Sequence, residues 1–391
     1  MICFTYPGQG SQKAGMGSDW VDHPSWELVA EASQAANRDI AHLLLNADDE
    51  ELRQTRNSQL ATFMVSMIAL DATGRVGIDT ACHAGHSLGE YSALVAAGVI
   101  DFVDGVRLVT ERGEAMQIAA EEQHGTMAAI MGLDDNLVEQ ACQQTQGEVW
   151  VANYNAPGQV VIAGVPDIVD AASQIARELG AKRVVHLPVG GAFHTPFMAS
   201  ARERLKKIIS QTEFRAPDHP VYANVDANAH SGASEWPELL SSQLTSPVRW
   251  RQSLHNMCDA GYSTFVEIGP GAVLTGTVKR TTKDAKPLKI NSPADIDIAL
   301  EALASPPTTV TGPLEGEALF ATERLVVSPA VGIFQPAHTE LANTPVAAGH
   351  LLGHVGETEV RSPWAGIVVG FLAVSGERVT ASQPIAWLRT Q

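Results

Sequence analysis

Cysteine is scarce: four in 391 residues, Cys3, Cys82, Cys142 and Cys258, all far apart. No CxxC pair or Cys/His cluster offers zinc spacing, and no dense cysteine framework marks a small secreted scaffold. No metal and no bound cofactor is expected. No apolar run reaches the roughly 20 residues of a membrane span. The opening Met1-Ile2-Cys3-Phe4-Thr5-Tyr6 lacks the charged and apolar regions of a signal peptide. The chain is therefore read as cytoplasmic, with no membrane partner. Positive charge is also short: 26 Lys and Arg face 44 Asp and Glu, a net −18, with pI near 5.1. That excludes a surface built for nucleic acid and leaves room only for local basic patches. Lys206-Lys207, and Lys279-Arg280 with Lys283, are the candidates. From Val310 onward there is no Lys and no Asp, and seven Glu face four Arg.

What is present describes a folded protein. Apolar residues make up 45% and charged residues 18%, so disorder does not describe the chain, and the length fits two or three domains. The sharpest break is Ala304-Ser305-Pro306-Pro307-Thr308-Thr309-Val310-Thr311-Gly312-Pro313, an extended linker by composition. The linker is placed at 304–323, between domains at 1–303 and 324–391. Before it, helical patterns alternate with short apolar strands, the α/β signature. After it, short strands separated by Gly, Pro and Asn predict an all-β domain. Within the first domain, about 125–190 has its own order. Thr126–Gly132 reads as a strand and Asp134–Gln146 as a helix. Glu148–Tyr154 and Gln159–Gly164 read as a β pair across Asn155-Ala156-Pro157-Gly158. Pro166–Leu179 reads as a helix and Lys182–Pro188 as a strand. That βαββαβ order predicts a ferredoxin-like insert.

Three loops are candidates for the chemistry. Gly85-His86-Ser87-Leu88-Gly89 fits G-x-S-x-G, with a strand-like Thr80–Ala84 before it and a helix former, Glu90–Ala97, behind it. Strand, Gly-flanked Ser and helix form the context of a nucleophile elbow. The helix start then offers N–H groups to an oxyanion. The alternative reading is a turn with a capping Ser. Pro7-Gly8-Gln9-Gly10-Ser11-Gln12 is a Gly-rich turn that fits neither the P-loop nor G-x-G-x-x-G. Gly190-Gly191-Ala192-Phe193-His194 places a His on a loop after a strand, a candidate general base.

Together these loops resemble the malonyl-CoA:acyl-carrier-protein transacylase family. The resemblance extends through Arg112-Gly113-Glu114-Ala115-Met116, Asn155–Gly164, Gln243–Trp250 and Glu267–Leu274, in the family's order over about 1–303. It implies an α/β-hydrolase-like acyltransferase core around the insert. It implies Ser87 as the acylated nucleophile and His194 as its base, oriented by a backbone carbonyl rather than an acid. Gln9 and the Leu88 N–H then form the oxyanion hole, Arg112 pairs with the acyl carboxylate, and Gln243 lines the pocket. Phe193 and Asn155 join the substrate-binding residues, with Phe193 leaving little room for an α-methyl. The implied reaction is ping-pong transfer from malonyl-CoA to the phosphopantetheine thiol of an acyl carrier protein. Two other readings stay open: a serine thioesterase or hydrolase, and a transacylase-like subunit anchored in a carboxylase/decarboxylase or polyketide assembly.

In the last domain, Val327-Ser328-Pro329-Ala330-Val331-Gly332-Ile333 and Val360-Arg361-Ser362-Pro363-Trp364-Ala365-Gly366-Ile367 are near-repeats. Each is followed by a valine and a Gly turn, Val346 with Gly349 and Val374 with Gly376, an internal duplication. The pattern resembles the biotinyl/lipoyl family, whose barrel-sandwich hybrid has two similar halves. Modified members carry a Lys on a hairpin between the halves, whereas here no Lys follows Lys289. Covalent biotin or lipoyl is therefore excluded by residue type. The short Gly349–Pro363 stretch predicts loss of the hairpin and an open barrel. The expected role is docking to a protein partner or placement in an assembly.

Overall fold

The computed structural model describes residues 1–303, 323–337 and 344–389. The chain divides into two compact units, Met1–Ser305 and Pro306–Gln391. The linker predicted at 304–323 lies outside the described residues, except that Glu323 opens a strand. Among the described residues, no helix is long and apolar enough to cross a membrane.

In the first unit the strands are β1 (Ile2–Tyr6), β2 (His83–Gly85), β3 (Thr126–Met131), β4 (Val149–Ala156), β5 (Gln159–Gly164), β6 (Arg183–His186), β7 (Val221–Tyr222), β8 (Ala229–His230), β9 (Thr264–Ile268) and β10 (Lys286–Ile290). The main sheet runs β10-β9-β1-β2-β7-β8. It is parallel except for β8. Four of the five β1 residues are buried. A strand covered on both faces reads as a continuous apolar run rather than an alternation. The neighbours of β1, β2 on one side and β9 on the other, make its carboxyl end a switch point, where open α/β sheets place ligands. The loops after β1 and β2 both emerge there. The strand expected at Thr80–Ala84 starts later: parallel pairing begins at His83, opposite Phe4. Thr80 lies outside the ladder and uses its hydroxyl to accept the Phe4 N–H at 3.0 Å.

The residues between Thr126 and His186 run strand, helix, strand, strand, helix, strand. They form an antiparallel sheet ordered β4-β5-β3-β6. The helix Pro166–Glu178 buries Val169, Ala172 and Ala176 with Ile130, Val160 and Ile162 of the sheet, the 3–4 spacing of an amphipathic face. β4 is longer than expected and continues through Asn155 and Ala156, so only Pro157-Gly158 forms the turn.

The second unit holds β11 (Glu323–Val327), β12 (Gly332–Pro336), β13 (Thr344–Val346), β14 (Leu351–Val355), β15 (Thr358–Arg361), β16 (Gly366–Phe371), β17 (Arg378–Val379) and β18 (Pro384–Arg389). They make two antiparallel sheets, β11-β18-β16-β13 and β15-β14-β12-β17. Replacing each of the first four strands by its counterpart four later, and the reverse, converts one sheet order into the other. The repeat extends to side chains. Ser328 Oγ donates to Ala330 O at 2.6 Å, and Ser362 Oγ to Trp364 O at 2.7 Å. The halves also interlock. Ser382 N–H donates to Ser328 O at 2.8 Å, and Gly349 N–H to Ser362 O at 2.7 Å. Two sequence expectations need correction here. The counterpart of Val346 and Gly349 is Val379 and Ser382, which occupy the equivalent strand and a positive-φ turn; Val374 and Gly376 lie in the preceding turn. The hairpin between the halves is present as well. β14 and β15 are joined by Gly356-Glu357, with Val355 opposite Thr358. A positive φ of 60° at Gly356 lets two residues close it.

Candidate active site

The strand-to-helix turn at Ser87 is built by two glycines and one asparagine. A Cβ on Gly85 would stand 1.9 Å from the Gly89 carbonyl group, and one on Gly89 would stand 2.0 Å from Tyr6 O. No larger residue fits either position. Between them Ser87 adopts φ 53°, an uncommon conformation for a non-glycine residue. Its N–H donates to Asn224 Oδ1 at 2.6 Å, and Asn224 Nδ2 donates to Gly85 O at 2.6 Å. Asn224 follows β7, the strand beside β2, so sheet order delivers the clamp.

Ser87 Oγ donates to His194 Nε2 at 2.8 Å. On the other side of the ring, Nδ1 donates to Gln243 O at 2.9 Å. A carbonyl can only accept, so it fixes the proton on Nδ1 and leaves Nε2 as the base. Burial, reinforced by the Arg112 charge, holds the His194 imidazole down at about 3. The ring is therefore neutral and able to take the Ser87 proton throughout the physiological range.

Arg112 is wholly buried. It projects from the helix Phe102–Glu122. Its Nη1 donates to Gln59 Oε1 at 2.6 Å, and its Nη2 to Ser87 Oγ at 3.0 Å and Gln243 Oε1 at 2.9 Å. The guanidinium lies 5.4 Å from the Tyr91 ring centre. Its Nε has no hydrogen-bond partner, and no carboxylate among the described residues forms an ion pair with it. Leaving a buried charge without its partner costs about 3–5 kcal/mol. The buried carboxyl of Glu90 acts on Arg112 through space without forming an ion pair.

A cleft of about 170 Å³ opens in front of Ser87, lined in part by Gln9, Asn155, Phe193, His194, Met116 and Leu274. Gln9 reaches it from the turn after β1. Leu88 caps the helix Gly89–Ala96, so its N–H lies among the amides at the positive end of that helix.

A family model for the acyl transferase domain matches residues 3–295. The malonyl CoA-acyl carrier protein transacylase of Bacillus subtilis (strain 168) is 40% identical over 307 residues, covering 77% of this chain and 97% of that protein. Its counterpart in Escherichia coli (strain K12) is 41% identical over 305 residues, covering 77% and 99%. This chain belongs to the acyl transferase family. The crystal structure of an acyl carrier protein S-malonyltransferase from Vibrio cholerae superposes with a TM-score of 0.74 at 40% identity, covering 76% of this chain and 99% of that one. A malonyl-transacylase in complex with its type II polyketide synthase acyl-carrier protein gives 0.75 at 38% identity, covering 77% and 99%.

In this acyl transferase seven of the eight residues singled out from sequence line one cleft or bond at Ser87, and the eighth, Leu88, is placed only by its position at the helix cap. Ser87, His194, Arg112 and Gln243 are hydrogen-bonded together. Gln9 and Phe193 line the cleft. Asn155 also lines it, but its Oδ1 lies 2.8 Å from His86 Nε2, so its direct hold is on the residue before the nucleophile. Gln59, Glu90 and Asn224 were missed. Glu90 closes the serine motif and could have been noticed; Gln59 and Asn224 are brought in only by helix packing and sheet order. Among the basic candidates, Arg280 bonds Gln159 on the cleft wall, whereas Lys206 pairs with Glu203 on its own helix. Among the described residues, no group of three or more His, Cys, Asp or Glu could hold a metal.

Proposed function

We propose that this acyl transferase moves a malonyl group from malonyl-CoA to the phosphopantetheine thiol of an acyl carrier protein, through malonyl-Ser87. Ser87 Oγ attacks the thioester carbonyl as His194 Nε2 takes its proton. The Leu88 N–H and the Gln9 side chain receive the tetrahedral oxyanion. Collapse releases the coenzyme A thiolate, which takes the proton from His194. The carrier thiol then gives its proton to His194 and attacks malonyl-Ser87, and collapse returns the proton to Ser87. The observation that carries this reading is Arg112, a fully buried cation bonded to Ser87 Oγ and, among the described residues, without a carboxylate in ion-pair contact; the Glu90 carboxyl acts on it only through space. A malonyl carboxylate supplies the missing partner, in the planar geometry a guanidinium grips best. A neutral acyl group leaves it unpaired. Phe193, buried on the cleft wall, supports malonyl over methylmalonyl, a discrimination worth about 10–200-fold for one methyl. Arg280, bonded to Gln159 on the cleft wall, is the basic residue that meets an acidic carrier.

The test is malonyl transfer to a phosphopantetheine-bearing carrier protein, followed by the carrier's mass. Transfer by the intact chain and none by Ser87→Ala supports the reading. Release of free malonate without transfer supports a hydrolase instead.

The 324–391 domain is read as an unmodified, biotinyl-like barrel-sandwich hybrid that docks the enzyme to a partner. Its interlocked twofold repeat supports the architecture. Its hairpin tip, Gly356-Glu357, offers no amine to modify.

A further inference from the structure

Glu90 is wholly buried, three residues after Ser87, in the first turn of the helix Gly89–Ala96. One carboxylate oxygen accepts the Asn224 N–H at 2.7 Å, and the other accepts from Gln243 Nε2. Gln243 Nε2 also donates to Ser87 O at 2.9 Å. With both amide hydrogens so placed, Gln243 Oε1 faces Arg112 Nη2 at 2.9 Å. Turning the amide over would set its NH2 against the guanidinium and its oxygen against two acceptors, Ser87 O and Glu90. A carboxylate at position 90, which only accepts, adds to Ser87 O and Arg112 in opposing that turn. We propose that Glu90 is a positioning residue for the acyl carboxylate, fixing the Gln243 amide so that Arg112 is held at Ser87. This rests on the malonyl-transfer reading above.

The groups facing Glu90 are Arg112 from the helix Phe102–Glu122, Asp226 from the loop after β7, and the Asn224 and Gln243 donors. Tyr91 lies next to it in the chain and is buried with it. Burial pushes the Glu90 carboxyl up to about 8, against the pull of Asn224, Gln243 and Arg112. Deprotonation through that range commits the group to accepting only and locks the amide.

The direct test is Glu90→Gln, which keeps the volume and replaces one acceptor by a donor. Acylation of the full chain is measured with malonyl-CoA and with acetyl-CoA, resolving KM from kcat. The expected result is a loss of kcat/KM for malonyl-CoA about tenfold larger than for acetyl-CoA, carried by KM. Equal losses would mean that Glu90 acts only through Asn224 and the Ser87 turn, and would overturn the proposal, as would no loss. Wild-type acylation by malonyl-CoA is the internal reference: its absence overturns the transfer reading itself. Should Glu90→Gln not fold, the wild-type ratio of malonyl-CoA KM to acetyl-CoA KM decides. It falls as pH rises through about 8 if the carboxylate locks Gln243, and a flat ratio overturns the proposal.

Discussion

The two units of this chain treat buried polarity in opposite ways. In the second unit the only buried polar side chains among the described residues are Ser328 and Ser362. They are repeat equivalents, and each closes a local turn. Everything else inside is apolar: Phe334, Leu352, Val368 and Ile385 fill the space between the two sheets. The first unit buries Glu90, Arg112, His194, Gln243, Asn224 and Gln59 around one serine. A buried polar group costs free energy unless it is bonded, and a buried charge more so. In the second unit each of the two exceptions is bonded within its own turn. The first unit holds a bonded network in which Arg112 Nε and, beside it, the Tyr91 hydroxyl lack a partner.

The largest effect that would sharpen this contrast is at the nucleophile. Ser87→Ala should lower malonyl transfer by about 10⁴-fold or more, while circular dichroism stays that of the wild type; residual transfer within tenfold of wild type would remove Ser87 from the mechanism. Arg112→Ala comes next. Malonyl-CoA kcat/KM should fall by about 10²–10³-fold, the equivalent of a lost buried ion pair, with a far smaller fall for acetyl-CoA. Steady-state kinetics with both donors reads the difference.

The third prediction tests the other side. Ser328→Ala or Ser362→Ala should cost about 1–3 kcal/mol of second-unit stability, read by denaturant titration of Trp364 and Trp387 fluorescence in a background lacking the other tryptophans. Malonyl transfer should be unchanged; a parallel loss of activity would break the division of labour. The smallest effect concerns pH. The His194 pKa is held near 3 in the folded chain, against about 6.5 unfolded. Between those values the unfolded state binds the extra proton, so stability falls as pH drops from about 6.5 towards 3. The acylation rate constant itself should show no histidine inflection near 6.5, a point that rapid-quench kinetics between pH 5 and 8 can check.

Much of the site was legible in sequence because it sits in short loops whose residue types have few alternative explanations. Two glycines flanking Ser87 announce a turn in which no Cβ fits, and the structure places each of those Cα atoms against backbone. The βαββαβ segment was legible because its helices keep a 3–4 apolar period and its strands are bounded by Gly and Pro. Strand limits at Thr80–Ala84 and Glu148–Tyr154 were not, since the partner strand decides where pairing begins and ends. Gln59 and Asn224 lie far from Ser87 in sequence and carry no local motif; only packing shows that their amides face Arg112 and the Ser87 N–H. In the second unit the repeat was visible, but its register was not. Ser382 takes the positive-φ position that Gly349 fills in the first half, and a search for a second glycine settles on Gly376 instead.

The central claim is that a buried, unpaired Arg112 reads the carboxylate of the acyl group on Ser87. Its most direct test is a competition. Wild type and Arg112→Ala are each mixed with equimolar malonyl-CoA and acetyl-CoA, and the acyl-enzyme is weighed by intact mass spectrometry. The account predicts a malonyl adduct in clear excess on the wild type and a collapse of that preference in the variant. Equal malonyl and acetyl adducts on the wild type, or an undiminished malonyl preference without Arg112, would contradict it.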